Sequence, residues 1–298
     1  MQIKSQKLEQ PWIATASLAA AVLTLTISPL FVRWADAPGI VTSLYRMLIA
    51  AIALTPFALR EIRLVKLPDK KAILFPILAG FFSAIDHGLW ATAIENTTVA
   101  NATLLNNVSP VWVALFALVV LKEHLPWQFW IGLIAVLIGA SAVLGSTLLF
   151  RPDFVSGDYL AIISSFFYAA FFLSTQRGRS VLNTVTFLWV MLQSAAFFLL
   201  IFVLILGVPF WGFTVETYLL FLLAGFVAQL GGYFLVTYAL GRLPASVVTP
   251  TMVAQPVLTA LIAIPLMNEG LLLWQVIGGA VTLMGIWTIN VVKRDNTN

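Results

Sequence analysis

The stretch AIENTTVANATLLNNVSP, residues 93–110, aligns without a gap on ALGRLPASVVTPTMVAQP, residues 239–256. Earlier in each half of the chain, the segment LAGF at 78–81 recurs at 223–226. These matches fall in the same order along the chain, which indicates an internal repeat and not chance. The sequence therefore predicts two related halves.

The composition of the chain is that of a membrane protein. Of its 298 residues, 61% are hydrophobic and only 9% are charged, whereas about 25% of the residues of an ordinary soluble domain are charged. So few charged side chains cannot cover the surface of a soluble protein. The chain is therefore surrounded by lipid. The sequence has no cysteine and only two histidines, His87 and His124, which excludes disulfides and thiolate metal sites. We expect no metal or other cofactor.

Breaks in hydropathy divide the chain into ten apolar runs. Each is about 20 residues long, the length that a helix needs to cross about 30 Å of hydrocarbon. The sequence thus predicts an all-α membrane protein with ten transmembrane helices, whose short connections place chain neighbours side by side. The predicted spans are residues 12–33, 39–59, 72–93, 99–121, 126–149, 157–176, 184–206, 216–240, 245–267 and 271–292.

Basic residues are distributed unequally between the two sides of the membrane. If the N-terminus is cytoplasmic, thirteen lysines and arginines fall on that side and two on the other, a strong positive-inside bias. This predicts a multi-pass protein of the bacterial inner membrane with both termini in the cytoplasm. The basic residues are scattered through short connections, so we expect no nucleic acid as a partner.

Each predicted half, residues 1–150 and 151–298, contains five spans. Because five is odd, the second half must enter the membrane from the opposite side, so the sequence predicts two inverted five-helix repeats. Such repeats are related by a pseudo-twofold axis in the membrane plane and can open a central site alternately to either side. The pattern favours a transporter of a small-molecule substrate, embedded in the lipid bilayer as a monomer or a homodimer.

Three segments resemble a known family of transporters. LLNNVSPVWVALFALVVLKEHLPWQFWIGLIAVLIGASAVL (104–144) and VVTPTMVAQPVLTALIAIPLMNEGLLLWQVIGGAVTLMGIWTI (247–289) resemble two EamA-type repeats, in which a proline-centred span ends in Glu and a glycine-rich span follows. SPLFVRWADAPGIVTSLYRMLIAAIAL (28–54) resembles the opening of that repeat. The resemblance implies the drug/metabolite transporter superfamily, whose ten-helix members are mostly exporters of amino acids and other metabolites. The chain is most similar to the branch that exports aromatic amino acids and methyl viologen.

Charged residues inside the predicted spans are the first candidates for a site, because a charge at mid-bilayer costs about 2.5–3.5 kcal/mol on the insertion scale. Arg46 lies roughly 10 Å below the outer face, and Asp86 and His87 lie at a similar depth. We expect the three to share one polar region, with Arg46 near enough to Asp86 for an ion pair or a water bridge. The region either holds a substrate carboxylate on Arg46 or relays protons through Asp86 and His87. Alternatively, Arg46 only locks two helices together.

Other polar and aromatic side chains extend this candidate site. Ser83, His87 and Trp90 share one stripe of the third span; Trp90 either stacks on the substrate or anchors the helix at the interface. Further amides and hydroxyls are expected to face the bundle interior, where they line a cavity or bond helix to helix. They are Thr103, Asn106, Asn107, Ser165, Tyr168, Gln229, Tyr233, Tyr238 and Gln255.

Pro110 and Pro256 occupy aligned positions in the fourth and ninth spans. A proline inside a helix leaves a carbonyl without its donor, so both predict kinks at which a helix could rock. Glu123 and Glu269 precede the fifth and tenth spans, where a carboxylate complements a helix N-terminus. Small residues in those two spans predict close packing against the bundle or against a second copy.

Several functions stay open from the sequence alone. We favour an exporter of small metabolites, above all amino acids, but the same fold could carry cationic compounds, nucleosides or sugar phosphates. The chain lacks the HExxH and GxSxG motifs of an enzyme and the charged ring of a channel, and a non-transporting scaffold would have a closed, dry interior. Because no nucleotide-binding loop is present, direct ATP drive would need a separate subunit, and facilitated diffusion and proton exchange both stay open.

Overall fold

The computed structural model of the chain describes residues 11–64, 70–145, 154–267 and 272–295. In these ranges every regular element is a helix, which satisfies its own backbone hydrogen bonds in lipid. Nine helical segments of the described chain, three of them made of two or three successive elements, are long and apolar enough to cross a membrane, and Trp12–Thr26 is a shorter apolar helix. The prediction of an all-helical membrane protein is thereby confirmed.

The chain order of the elements follows the hydropathy runs closely. The first part contains α1 (Pro11–Thr26), α2 (Ser28–Trp34), α3 (Gly39–Leu64), α4 (Lys70–Asn96), α5 (Val99–Asn106), α6 (Ser109–Val119) and α7 (Trp127–Leu144). The second part contains α8 (Ser156–Arg179), α9 (Thr184–Leu206), α10 (Val215–Leu223), a π-helix (Ala224–Gly232), α11 (Tyr233–Leu240), α12 (Ala245–Met252), α13 (Gln255–Met267) and α14 (Leu273–Asp295).

Three regions that were each predicted as one continuous span are divided into two helices. The divisions separate α1 from α2, α5 from α6, and α12 from α13. In each case a proline is the second residue of the later helix: Pro29, Pro110 or Pro256. A proline there has no N–H to donate to the preceding helix, so the hydrogen-bond ladder stops and restarts.

Helix ends in the second part are fixed by local capping. Asn183 accepts a hydrogen bond from the backbone N–H of Thr186 before α9, and Thr214 accepts one from Thr217 before α10. At the end of α9, Gly207 adopts a left-handed conformation with φ 64°, which a residue with a side chain adopts at a cost. These caps satisfy backbone groups that have no partner within their own helix.

The main contacts run between the two parts of the chain. α4 packs on α8 and α9, α3 on α9 and the π-helix, α1 on α11 and the π-helix, and α7 on α14. Chain neighbours do touch, as expected, but α3 with α4 and α8 with α9 share smaller interfaces than these pairs. A short connection fixes only the ends of two helices and leaves their faces free to pack elsewhere.

Small residues allow α7 and α14 to approach closely. A Cβ atom on Gly285 would lie 2.6 Å from the carbonyl oxygen of Gly132, and one on Gly278 would lie 2.7 Å from that of Gly139. No side chain fits at those distances, so backbone meets backbone. These glycines thus pack inside one chain, which was one of the two arrangements left open by the sequence.

Candidate functional site

Arg46 is buried in the interior of the bundle. It lies on α3 and is 4% exposed, and its Nε donates a hydrogen bond of 3.0 Å to Oε1 of Gln229 in the π-helix. Within the described ranges, no carboxylate lies within 4 Å of the guanidinium group. The direct ion pair with Asp86 that the sequence allowed is therefore not formed. The bond ties two helices together but leaves the guanidinium group without a carboxylate in contact among the described residues.

The carboxamide of Gln229 forms a hydrogen bond through its oxygen but not through its nitrogen. Its Oε1 accepts from Arg46, whereas its Nε2 is buried and has no hydrogen-bond partner among the described residues. The whole residue is 0% exposed. A buried donor left unpaired costs about 1–3 kcal/mol. An acceptor group placed beside Arg46 would remove this cost.

Asp86 on α4 is held by donors from two other helices. Ser164 Oγ of α8 donates to Oδ1 at 2.6 Å, and Asn106 Nδ2 of α5 donates to the same oxygen at 2.9 Å. The side chain is deeply buried, with 6% of the residue exposed. In the part of the chain that the structure describes, Oδ2 receives no hydrogen bond. The carboxylate is thus fixed in place through one oxygen and available through the other.

His87 lies next to Asp86 without neutralising it. Its Nδ1 is 2.8 Å from the carbonyl oxygen of Ser83 and 3.6 Å from Oδ2 of Asp86. Because a carbonyl oxygen can only accept a hydrogen bond, His87 Nδ1 must carry a proton in this short contact. That N–H donates to the Ser83 carbonyl oxygen and not to Asp86. The Ser83 hydroxyl lies 3.5 Å from the same nitrogen.

Two tyrosines lie within electrostatic reach of both charges. The side chains of Tyr168 on α8 and Tyr233 on α11 interact with each other, with Arg46 and with Asp86. Two further rings of α8 pack on these tyrosines: the centroid of Phe172 lies 4.7 Å from that of Tyr168, and the centroid of Phe171 lies 5.8 Å from that of Tyr233. We call the polar group the central cluster; it consists of Arg46, Ser83, Asp86, His87, Asn106, Ser164, Tyr168, Gln229 and Tyr233.

The π-helix explains how Gln229 comes to face Arg46. Between the two aligned motifs, the second half has twelve residues, 227–238, where the first half has eleven, 82–92. An extra residue inside a helix widens a turn into a π-turn, and the π-helix lies at this insertion. Gly225 lets it approach α3, since a Cβ there would lie 2.7 Å from Ile49 Cγ2.

The other predicted site residues lie outside the central cluster. Gln255 Nε2 donates to the carbonyl oxygen of Met252 at 3.0 Å, across the break between α12 and α13. Thr103 and Asn107 lie half-buried at the end of α5, where the Asn107 N–H donates to the Thr103 carbonyl. Trp90 is half-buried, and no hydrogen bond or ring contact joins it to the cluster within the described ranges.

Ser164 is the member of the cluster that sequence analysis missed. The sequence indicated Ser165 instead, but that hydroxyl accepts a hydrogen bond of 2.8 Å from Trp112 Nε1. The spacing alone could have indicated Ser164, because it precedes Tyr168 by four residues and therefore lies on the same face of the helix.

A surface pocket of about 360 Å³ lies at the C-terminal part of α3, where it is lined by Pro56, Leu59, Arg60 and Arg63. All four residues belong to one helix, and none belongs to the central cluster. In the cluster, Arg46, Asp86 and His87 are buried, whereas Asn106 and Tyr168 are half-buried. We place the candidate site at the cluster because, among the described residues, it combines the buried Arg46 and Asp86 with the unpaired Nε2 of Gln229.

Comparison with known proteins assigns the chain to a family. The EamA-like transporter family matches residues 11–145 and, a second time, residues 155–291. The chain belongs to the EamA-like transporter family. It is therefore a multi-pass membrane transporter, as its apolar helices also indicate.

Relatives of the transporter carry matching descriptions. It is 24% identical over 245 residues to "Uncharacterized transporter YdfC" of Bacillus subtilis, covering 82% of this chain and 79% of the relative. It is 26% identical over 275 residues to an "Uncharacterized transporter" of Archaeoglobus fulgidus, covering 91% and 93%. A solved crystal structure covers 94% of this chain and 97% of its own with a TM-score of 0.77 at 17% identity. At that identity the likeness shows the fold alone.

An ion pair links the connection before α7 to α14. Lys293 Nζ, near the end of α14, lies 2.6 Å from Glu123 Oε2 in the connection before α7, and Ser246 Oγ of α12 donates to the same oxygen at 3.0 Å. Glu123 was predicted to complement the helix N-terminus; its side-chain contacts join α14 and α12 to the connection before α7. Its counterpart Glu269 lies outside the described residues. We call Glu123, Ser246 and Lys293 the Glu123 bridge.

Loss of the Glu123 bridge is expected to loosen the packing around it. We expect Glu123→Gln to raise the labelling rate of a cysteine at the buried position Thr249, in α12, by about two- to fivefold, because a partly exposed ion pair contributes about 0.2–1 kcal/mol. The chain has no natural cysteine, so thiol labelling reports this position alone. The control is Glu216→Gln at an exposed carboxylate. Equal labelling rates in both variants would contradict the prediction.

Proposed function

We propose that the transporter is a secondary exporter of amino acids, including aromatic and hydrophobic ones, that works by alternating access around the central cluster. The observation that carries the proposal is the burial of Arg46 without a carboxylate partner in the described ranges. A buried charge is stable only when an opposite charge or several hydrogen bonds compensate it. The carboxylate of a substrate would supply that anion each time the site is filled.

The proposed motion uses two inverted five-helix repeats, residues 1–150 and 151–298. In support, the family matches once within each half, and interhelix contacts come in corresponding pairs. The second span contacts the eighth, as α3 with the π-helix, and the seventh contacts the third, as α9 with α4. The breaks before Pro110 and Pro256 fall at corresponding places in the fourth and ninth spans, which favours a hinge role for both prolines.

The aromatic side of the cluster supports the choice of substrate. Tyr168, Tyr233, Phe171 and Phe172 present rings beside the buried charges, and rings favour other rings and large apolar groups. We include Ser83, Asp86, His87, Asn106 and Gln229 in the proposed binding site. We further propose that the residues outside the cluster line the pathway in other conformations; these are Trp90, Thr103, Asn107 and Gln255.

The topology that we propose follows the positive-inside bias of the sequence. It places both termini in the cytoplasm of a bacterial cell and the transporter in the inner membrane, as a monomer or a homodimer. Transport is then driven by the substrate gradient alone or by exchange with protons through Asp86 and His87.

Counterflow into proteoliposomes tests the proposed function. We expect vesicles loaded with L-phenylalanine or L-leucine to accumulate the labelled amino acid well above protein-free vesicles. Methyl viologen is measured in parallel, because the Asp86 carboxylate could hold a cation. Accumulation of methyl viologen but of no amino acid would replace the proposal by its multidrug alternative. Repeating the uptake across several pH gradients tests the drive, since a flat response removes proton exchange.

A further inference from the structure

The central cluster contains two buried charges of opposite sign that do not pair with each other. Within the described ranges, Arg46 and Asp86 do not lie within 4 Å, yet each acts electrostatically on the other. We infer that this separation is the recognition element: Asp86 binds the ammonium group of the substrate while Arg46 binds its carboxylate, so the site selects zwitterions. The inference rests on the proposed function and deepens it.

Each charge is held away from the other by its own partner. Gln229 of the π-helix holds Arg46 through Nε, and Ser164 with Asn106 holds Asp86 through Oδ1. In a medium of low dielectric, opposite charges attract strongly, so these separate anchors keep the two poles from collapsing into an ion pair. A ligand with one positive and one negative group would compensate both poles at once.

The atoms that remain available have the polarity that such a ligand needs. At the negative pole, Oδ2 of Asp86 receives no hydrogen bond from the described residues, and His87 Nδ1 is directed to Ser83. An ammonium group donates three hydrogen bonds and accepts none, so it fits this oxygen.

At the positive pole, the buried Nε2 of Gln229 has no partner and lies on the same carboxamide that accepts from Arg46. A substrate carboxylate can accept from the guanidinium with one oxygen and from Nε2 with the other. The Tyr168 and Tyr233 side chains interact electrostatically with both charges, and we expect them to line the site.

A competition series on the wild-type transporter tests the inference. Labelled L-phenylalanine uptake is challenged with unlabelled L-phenylalanine, with 3-phenylpropionate, which lacks the ammonium group, and with phenethylamine, which lacks the carboxylate. We expect each single-charge analogue to compete at least about tenfold less well, since a hydrogen bond to a charged group is lost in each case. Equal competition by 3-phenylpropionate would overturn the role of Asp86 while leaving amino acid transport intact.

A variant pair locates the effect on Asp86. In Asp86→Asn, we expect L-phenylalanine to compete only as well as 3-phenylpropionate, because the negative pole is neutral. In the control Glu95→Gln, which changes an exposed carboxylate on the same helix, we expect the wild-type ratio. If Asp86→Asn does not fold, the wild-type series still decides. Absence of uptake for every amino acid would instead remove the proposed function, and with it the inference.

Discussion

Replacing Arg46 by glutamine is expected to lower amino acid uptake roughly 100-fold, because truncating one partner of a buried charge pair costs about 2–5 kcal/mol. A glutamine at this position can still donate a hydrogen bond to Gln229 Oε1, so the contact between α3 and the π-helix can persist. The positive charge, however, is gone, and a substrate carboxylate finds no counterion. Initial uptake rates in proteoliposomes measure the change.

Arg60→Gln is the matched control for that experiment. Arg60 lies on the same helix α3 but is exposed and lines the surface pocket. The same change of charge there is expected to leave uptake near the wild-type rate. An equal loss in both variants would mean that the net charge of α3, and not the buried guanidinium, supports transport.

Thermal unfolding distinguishes a binding role for Arg46 from a structural one. A buried charge without an ionic partner destabilises a fold, so Arg46→Gln is expected to match or exceed the wild-type Tm in the absence of substrate. If Arg46 only locked two helices together, the variant would lose stability along with uptake. A lower Tm would therefore contradict the binding role.

The arrangement of spans could be predicted because lipid constrains it so strongly. The predicted span 39–59 became α3 (Gly39–Leu64), and 184–206 agrees with α9 (Thr184–Leu206). A helix must be long enough to cross the bilayer and cannot expose its backbone there, which hydropathy detects directly. Hydropathy does not detect where a proline divides a helix, so the breaks at Ile27 and before Pro110 and Pro256 were missed as helix boundaries.

The central cluster could be predicted only in part. Sequence placed Arg46 and Asp86 at similar depths, and both are buried. Depth leaves the rotation of each helix undetermined, and so the partner of Arg46 proved to be Gln229, 183 residues away in the chain. The orientation of Gln229 depends on the π-helix, whose trace in the sequence is one extra residue between two aligned motifs.

Deleting Gly231 from the π-helix is expected to leave a folded protein that transports roughly 10- to 100-fold more slowly. The deletion removes one residue from the widened segment, so the region can return to ordinary α-helical spacing while its flanks, α10 and α11, keep their contacts. Gln229 lies inside the segment and turns relative to α3. The bond to Arg46, a hydrogen bond to a charged group worth about 1.5–3 kcal/mol, is then lost.

Gly231→Ala separates the length of the segment from its composition. A Cβ at this position would lie 3.5 Å from the Phe226 carbonyl oxygen and 3.8 Å from Thr24 Cγ2, which is ordinary van der Waals contact, so uptake is expected to stay near wild type. Gly232→Ala is no substitute as a control, because its Cβ would lie 2.6 Å from Leu25 Cδ2. Circular dichroism checks that the deletion variant keeps its helices. Full uptake by that folded variant would show that the extra residue, and the position it gives Gln229, is dispensable for transport.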